Sequence, residues 1–174
     1  MKNHLIAGLT LFLLMASFSA FSQDDKSKRP SPPAEVEATV GDAEVSIDYS
    51  QPAVKGRTVW GDLVPYDEVW RTGANEATVF ETSKDIKVNG SVLPAGKYSM
   101  FTIPGEDSWT VIFNSTWEQW GDYKYDSAKD VLRVEAIPQK SDDFHERMTF
   151  TINDGEAALL WENLVVPMTI SAKT

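Results

Sequence analysis

From residue 35 onward the apolar side chains recur at every second position, as in Val45, Ile47 and Tyr49 and again in Met148, Phe150 and Ile152. A strand turns successive side chains to opposite faces, whereas a helix needs spacings of three and four, so the pattern predicts strands. Further runs at 77–82, 86–88, 98–103, 109–113, 131–137, 157–161 and 164–170 bring the expected total to about nine or ten. Turn residues punctuate them. Asn89-Gly90 lies between two short runs and suits a two-residue hairpin, in which both central residues take positive φ. Leu93-Pro94-Ala95-Gly96, Pro104-Gly105-Glu106-Asp107 and Asn153-Asp154-Gly155 supply more turns. The expected fold is all-β, a single-domain sandwich over 35–174 with a jelly-roll-like path. Helix is expected for at most a turn or two, near 67–70 or 126–130. No internal repeat or heptad is present.

The first 34 residues follow other rules. Lys2, a short apolar run at 5–16, and small residues at Ala20 and Ser22 read as a secretory signal peptide over 1–22, with cleavage before Gln23. The run is well short of the ~20 residues that cross a bilayer, so no membrane span is expected after cleavage. Residues 23–34, QDDKSKRPSPPA, are polar and proline-rich and are expected to form a disordered linker. The mature chain is therefore expected in the periplasm or outside the cell.

Charge and composition then remove classes of function. The net charge of −10 argues against a nucleic-acid partner. With no cysteine there is no disulfide, thiol nucleophile or thiolate metal site. Two histidines, one of them in the signal peptide, leave no zinc site and only His145 for a Ser-His-Asp arrangement, in a charged stretch that reads as a solvated connection. Calcium has oxygen donors at Asp142 and Asp143 or at Asn153, Asp154 and Glu156, but not at EF-hand spacing, and a tight hairpin explains the second set. No cofactor, metal or catalytic residue is assigned. The acidic residues Asp67, Glu68, Glu76 and Asp122 are the only opening for a glycoside hydrolase, a weak one in a chain with 26 acidic side chains.

The stretches GRTVWGDLVPYDEVWRTGANEATVF (56–80), VNGSVLPAGKYSMFTIP (88–104) and WTVIFN (109–114) are more particular than a generic sandwich requires. They resemble the DUF2911 family of exported bacterial proteins, over about 35–171 and most densely at 69–78. The resemblance implies an exported, β-rich domain of the Bacteroidetes type. It transfers no catalytic residue, because the family's function is unknown.

The candidate binding residues therefore rest on the residues alone. The segment 56–76 alternates poorly yet holds Arg57, Trp60, Trp70, Arg71, Asn75 and Glu76. One reading is a binding loop, in which tryptophan faces stack on a sugar ring while Arg71, Asn75 and Glu76 orient it. The other is a packed loop, with Trp60 and Trp70 as core anchors, Arg71 paired to Glu76 or Asp67, and Gly73 allowing an unusual backbone angle. A second aromatic group, Trp117, Trp120, Tyr123 and Tyr125, is too polar in its spacing for a buried strand. It either contacts carbohydrate or plugs one end of the sandwich. If the two loops meet, the carbohydrate reading strengthens. The expected partner is a glycan or other small polar ligand. The alternative is a structural or protein-interaction module of the envelope.

Overall fold

The computed structural model describes residues 25–173, so the signal-peptide expectation lies outside the described residues. Ten strands form among them: β1 (Pro33–Val40), β2 (Ala43–Ser50), β3 (Thr78–Thr82), β4 (Ile86–Val88), β5 (Ser91–Leu93), β6 (Gly96–Ile103), β7 (Trp109–Asn114), β8 (Asp130–Ala136), β9 (Gln139–Asn153) and β10 (Glu156–Ala172). Six make one sheet in the order β1-β2-β3-β6-β7-β8, and four make the other in the order β5-β4-β10-β9. Every pairing is antiparallel. This is the expected sandwich, but its path differs from a jelly roll. Most strands pair with their sequence neighbours, and the chain enters the second sheet twice, with the β4–β5 hairpin and again with the β9–β10 hairpin.

Alternation explains the core. Val45, Ile47 and Tyr49 of β2 point inward with Phe80, Met100, Val111 and Phe113, and meet Met148, Phe150, Leu159, Val166, Met168 and Ile170 of the second sheet. The hairpin turns follow the expected chemistry. Asn89 and Gly90 have φ of 44° and 80°, and Asp154 and Gly155 have 49° and 81°. The central strand β6 is buried on both faces, because Phe101 and Ile112 on the outer side are covered by Val69, Ala77 and Tyr125.

Four local expectations are corrected. The runs at 157–161 and 164–170 fuse into β10, with register shifts between Leu160 and Leu164 and Glu162 at φ 56°, the signature of a bulge that keeps one strand continuous while bending it. The charged stretch around His145 is the outer half of β9, paired to β10 through Glu162 opposite His145. It is largely exposed, so burial never imposed an alternating pattern there. No helix forms at 67–70. Trp70 instead exchanges two backbone hydrogen bonds with Thr102, of 2.8 and 2.9 Å, and takes the place beside β6 that β3 leaves at Thr78. The second helical expectation is met by a single 3-10 turn at Ser127–Lys129, capped by Asp126.

The fourth correction concerns the linker. Residues 25–34 lie against the domain: Lys26–Lys28 form a 3-10 turn, Arg29 reaches Glu76, and Pro33 and Ala34 begin β1. The polar composition is compatible with order because charge pairing, not apolar burial, fastens the segment.

Candidate functional site

The two loops singled out in the sequence meet on the outer side of the six-stranded sheet. Glu76 and Trp120 form an isolated antiparallel bridge. Ala77 N–H donates to the Gln119 carbonyl at 3.0 Å, and Gly121 N–H donates to that of Asn75 at 3.1 Å. The loop after β7 is fixed at its root by a polar network around the buried Asp130 carboxylate. Asn114 donates to Asp130 Oδ1 at 2.8 Å, while Tyr125 Oη and Arg133 Nε donate to Asp130 Oδ2 at 2.6 and 2.8 Å. Burial, then the Asp130 carboxylate, push the Tyr125 hydroxyl up to about 12, so it stays a donor. Its ring packs edge-on to Phe101 at 5.0 Å.

This arrangement walls a groove of about 490 Å³. Trp117 and Trp120 line it at 41% and 56% exposure, with Gln119 between them, over a floor that includes Asp48, Val79 and Lys97. Lys97 Nζ sits 4.7 Å from the Trp117 ring centre, and the Arg29 guanidinium sits 5.8 Å from that of Trp120, so each ring is steadied by a cation. The Gln119 amide donates to the Thr116 carbonyl at 2.7 Å, while its oxygen is buried with no donor among the described residues. Glu76 also lines the groove and accepts from Arg29 at 2.9 Å and from Lys26 at 3.0 Å. Burial raises the Glu76 pKa, but its own backbone N–H, Lys26 and Arg29 outweigh that and hold the carboxyl below its ordinary range.

A second, smaller pocket of about 270 Å³ lies beneath the long loop after β2 and shares no lining residue with the groove. Arg57, Glu68, Trp70, Arg71, Asp122 and Trp161 line it. The backbone beside Arg71 is strained. Thr72 holds φ at 56°, a value costly for a β-branched residue. It is fixed there by a 3.2 Å bond from its hydroxyl to Thr102 Oγ1 and by its carbonyl accepting from Thr78 Oγ1 at 2.7 Å.

The expected site residues thus divide three ways. Glu76, Trp117 and Trp120 come together in the groove. Arg57, Trp70 and Arg71 line the smaller pocket. Trp60 and Asn75 line neither. Stacking on a sugar face is corrected for Trp60 and Trp70, which join Trp109 and Trp161 in a cluster with ring centres 5.0 to 6.4 Å apart, Trp70 being only 7% exposed. Asn75 is a brace. At φ 61° its amide donates to the Ser31 carbonyl and to Ser50 Oγ. Arg57 clasps its own loop by donating to the Ala53 and Val54 carbonyls.

The packed-loop reading also needs correction. Arg71 has no ion pair to Glu76 or Asp67, since Glu76 is taken by the N-terminal segment. Gly73 is not at positive φ. A Cβ there would meet Ser50 O and Thr78 Oγ1 at 3.2 Å, so close approach is what demands glycine. Sequence reasoning missed Asp48, Lys97 and Gln119 in the groove and Trp161 in the pocket. Strand parity marks Asp48 as outward, between inward Ile47 and Tyr49, yet only the tertiary path brings Trp117 and Trp120 over it. No group of three or more His, Asp or Glu among the described residues is placed to hold a metal ion.

Compared with known proteins, residues 31–170 match the family model described as protein of unknown function (DUF2911). No curated protein and no solved structure matches the chain.

Proposed function

The chain belongs to the DUF2911 family, whose function is unknown, and from that premise we propose that it is an exported small-ligand-binding sandwich whose tryptophan groove takes carbohydrate. One observation carries the reading: Trp117 and Trp120, partly exposed, wall the same groove as Gln119, Glu76 and Asp48. A sugar offers an apolar C–H face and a rim of hydroxyls. Tryptophan rings accept the first, and the carboxylates that line the groove accept the donors of the second. The groove is roomy enough for a sugar unit and is rooted in a rigid sheet, so little ordering opposes binding. Export is supported by the signal-peptide reading of residues 1–22.

The test is thermal unfolding of residues 23–174 against neutral saccharides, peptidoglycan fragments and divalent ions. A saccharide at 100 times its dissociation constant should stabilise by ~2.7 kcal/mol, or roughly 5–10 °C in a domain of this size. A flat response to every saccharide overturns the reading. The second reading, a protein-interaction module, is favoured by Phe144, 55% exposed on the edge strand β9, where a partner strand could add. A flat ligand panel together with capture of a defined envelope protein through β9 would support it.

A further inference from the structure

We propose that the Arg71 pocket is a second binding site, for the carboxylate of a small organic acid that also carries a hydroxyl or amino group. The inference is independent of the carbohydrate reading, since the two cavities share no lining residue. It begins from donors without acceptors. Arg71 Nε is buried and bonds to nothing, and no carboxylate among the described residues lies within ion-pairing distance of the Arg71 guanidinium. Trp161 Nε1, on the wall of the same pocket, is buried and equally unmatched. Arg57 satisfies itself on two carbonyls and also has no carboxylate partner among the described residues. Two guanidinium groups without an ion pair among the described residues, in a chain of net charge −10, converge on one cavity.

Buried polar groups are satisfied in nearly all native structures, and the Arg71 side chain, though partly exposed as a whole, holds its buried Nε against that rule. What this set lacks is an acceptor with several lone pairs and one negative charge. A carboxylate has four lone-pair sites and fits a guanidinium fork. A phosphate dianion fits less well, because Glu68 and Asp122 face the same space and would repel a second charge. Those carboxylates instead accept from a hydroxyl or ammonium on the remainder of the ligand. At about 270 Å³ the cavity limits that remainder to a few heavy atoms, against Trp70, Val64 and Pro65. The strain at Thr72 is consistent with a backbone held for the sake of the preceding side chain.

The experiment is calorimetric titration of residues 23–174 with lactate, glycerate, glycine, serine and glutamate, each beside its methyl ester, with tryptophan emission followed in parallel because Trp70 and Trp161 line the pocket. One or more acids should bind saturably and perturb the emission, and the ester should bind at least tenfold more weakly. Arg71→Gln should lose roughly tenfold or more in affinity, and Arg71→Lys should lose less. If Arg71→Gln does not fold, the acid against ester comparison on the unsubstituted chain decides alone. Binding of no acid, or equal binding of acid and ester, overturns the proposal.

Discussion

Four of the six tryptophans and the other two do opposite things. Trp109 of β7 and Trp161 of β10 come from facing sheets, and Trp60 and Trp70 come from the loop between β2 and β3. Together they make a cluster of edge-on rings, with Trp70 and Trp161 nearly parallel at 6.0 Å. Trp117 and Trp120 sit on a loop outside the sheet and stay partly exposed, each against a cation. The difference is not in the residue but in what its backbone is tied to. Trp70 is pinned into the sheet by its two bonds with Thr102, which commits its ring inward. Trp120 is bridged to Glu76 on top of the sheet, which leaves its ring outside. A fold of this size therefore uses the same side chain to hold its sheets together and to wall an open groove.

The sharpest way to break that comparison is to truncate one member of the inner group. Trp109→Ala should cost ~3–5 kcal/mol, because it opens a cavity where both sheets and the loop meet. Denaturant unfolding should show a lower midpoint at unchanged slope. A loss below ~1 kcal/mol would mean the cluster is not the structural anchor. Next in size is Asp130→Ala. It leaves the Asn114 amide and the Tyr125 hydroxyl without their shared acceptor, at ~1–3 kcal/mol. It should also loosen the loop that carries Trp117 and Trp120, seen as faster amide exchange across 115–129.

The two groups were not equally legible. Strands were readable wherever one face is buried, because inward Val45, Ile47 and Tyr49 leave a period of two in the sequence. The outer half of β9 was not, since a ribbon exposed on both faces imposes no period. Nor was the N-terminal segment, whose order depends on Arg29 meeting Glu76, 47 residues away. For tryptophan the letter alone leaves the role open. Trp60 and Trp70 could be read as sugar platforms or as core anchors, and the tertiary path decided for the core, through the Trp70 backbone bonds to Thr102 and the packing of Trp60 against Trp70, Trp109 and Trp161. Arg71 was legible as a residue of interest, but its lack of an ion pair among the described residues was not, because pairing is a property of the tertiary path.

A smaller effect tests how the outer wall is fastened. Glu76 holds the N-terminal segment across the groove, and its carboxyl titrates below the ordinary 4.5. Its contribution is therefore fully present above that value and is lost as pH falls through the lower folded one. Because the side chain is 38% exposed, solvent screening keeps this small, under ~1 kcal/mol. Glu76→Gln mimics the protonated form. Its melting temperature should lie below that of the unsubstituted chain near about pH 7, and the gap should close as the pH falls below the lowered pKa of the folded carboxyl. A gap that persists in acid would assign the effect to something other than the ionised carboxylate.

The smallest expected change in stability belongs to the outer tryptophans, and it is the most informative. Trp120→Ala removes a ring that is 56% exposed and rests on one cation, so it should shift stability by no more than ~1 kcal/mol. Trp117→Ala should behave alike, since its ring faces Lys97 in the same way. Both should nonetheless abolish the thermal shift given by a saccharide, because stacking is the part of that interaction the polar groups cannot replace. The contrast with Trp109→Ala would then be complete: one substitution weakens the fold, the others remove only the saccharide response. Should Trp120→Ala destabilise as much as Trp109→Ala, the outer loop would be a structural plug, and the groove would lose its standing as a binding surface.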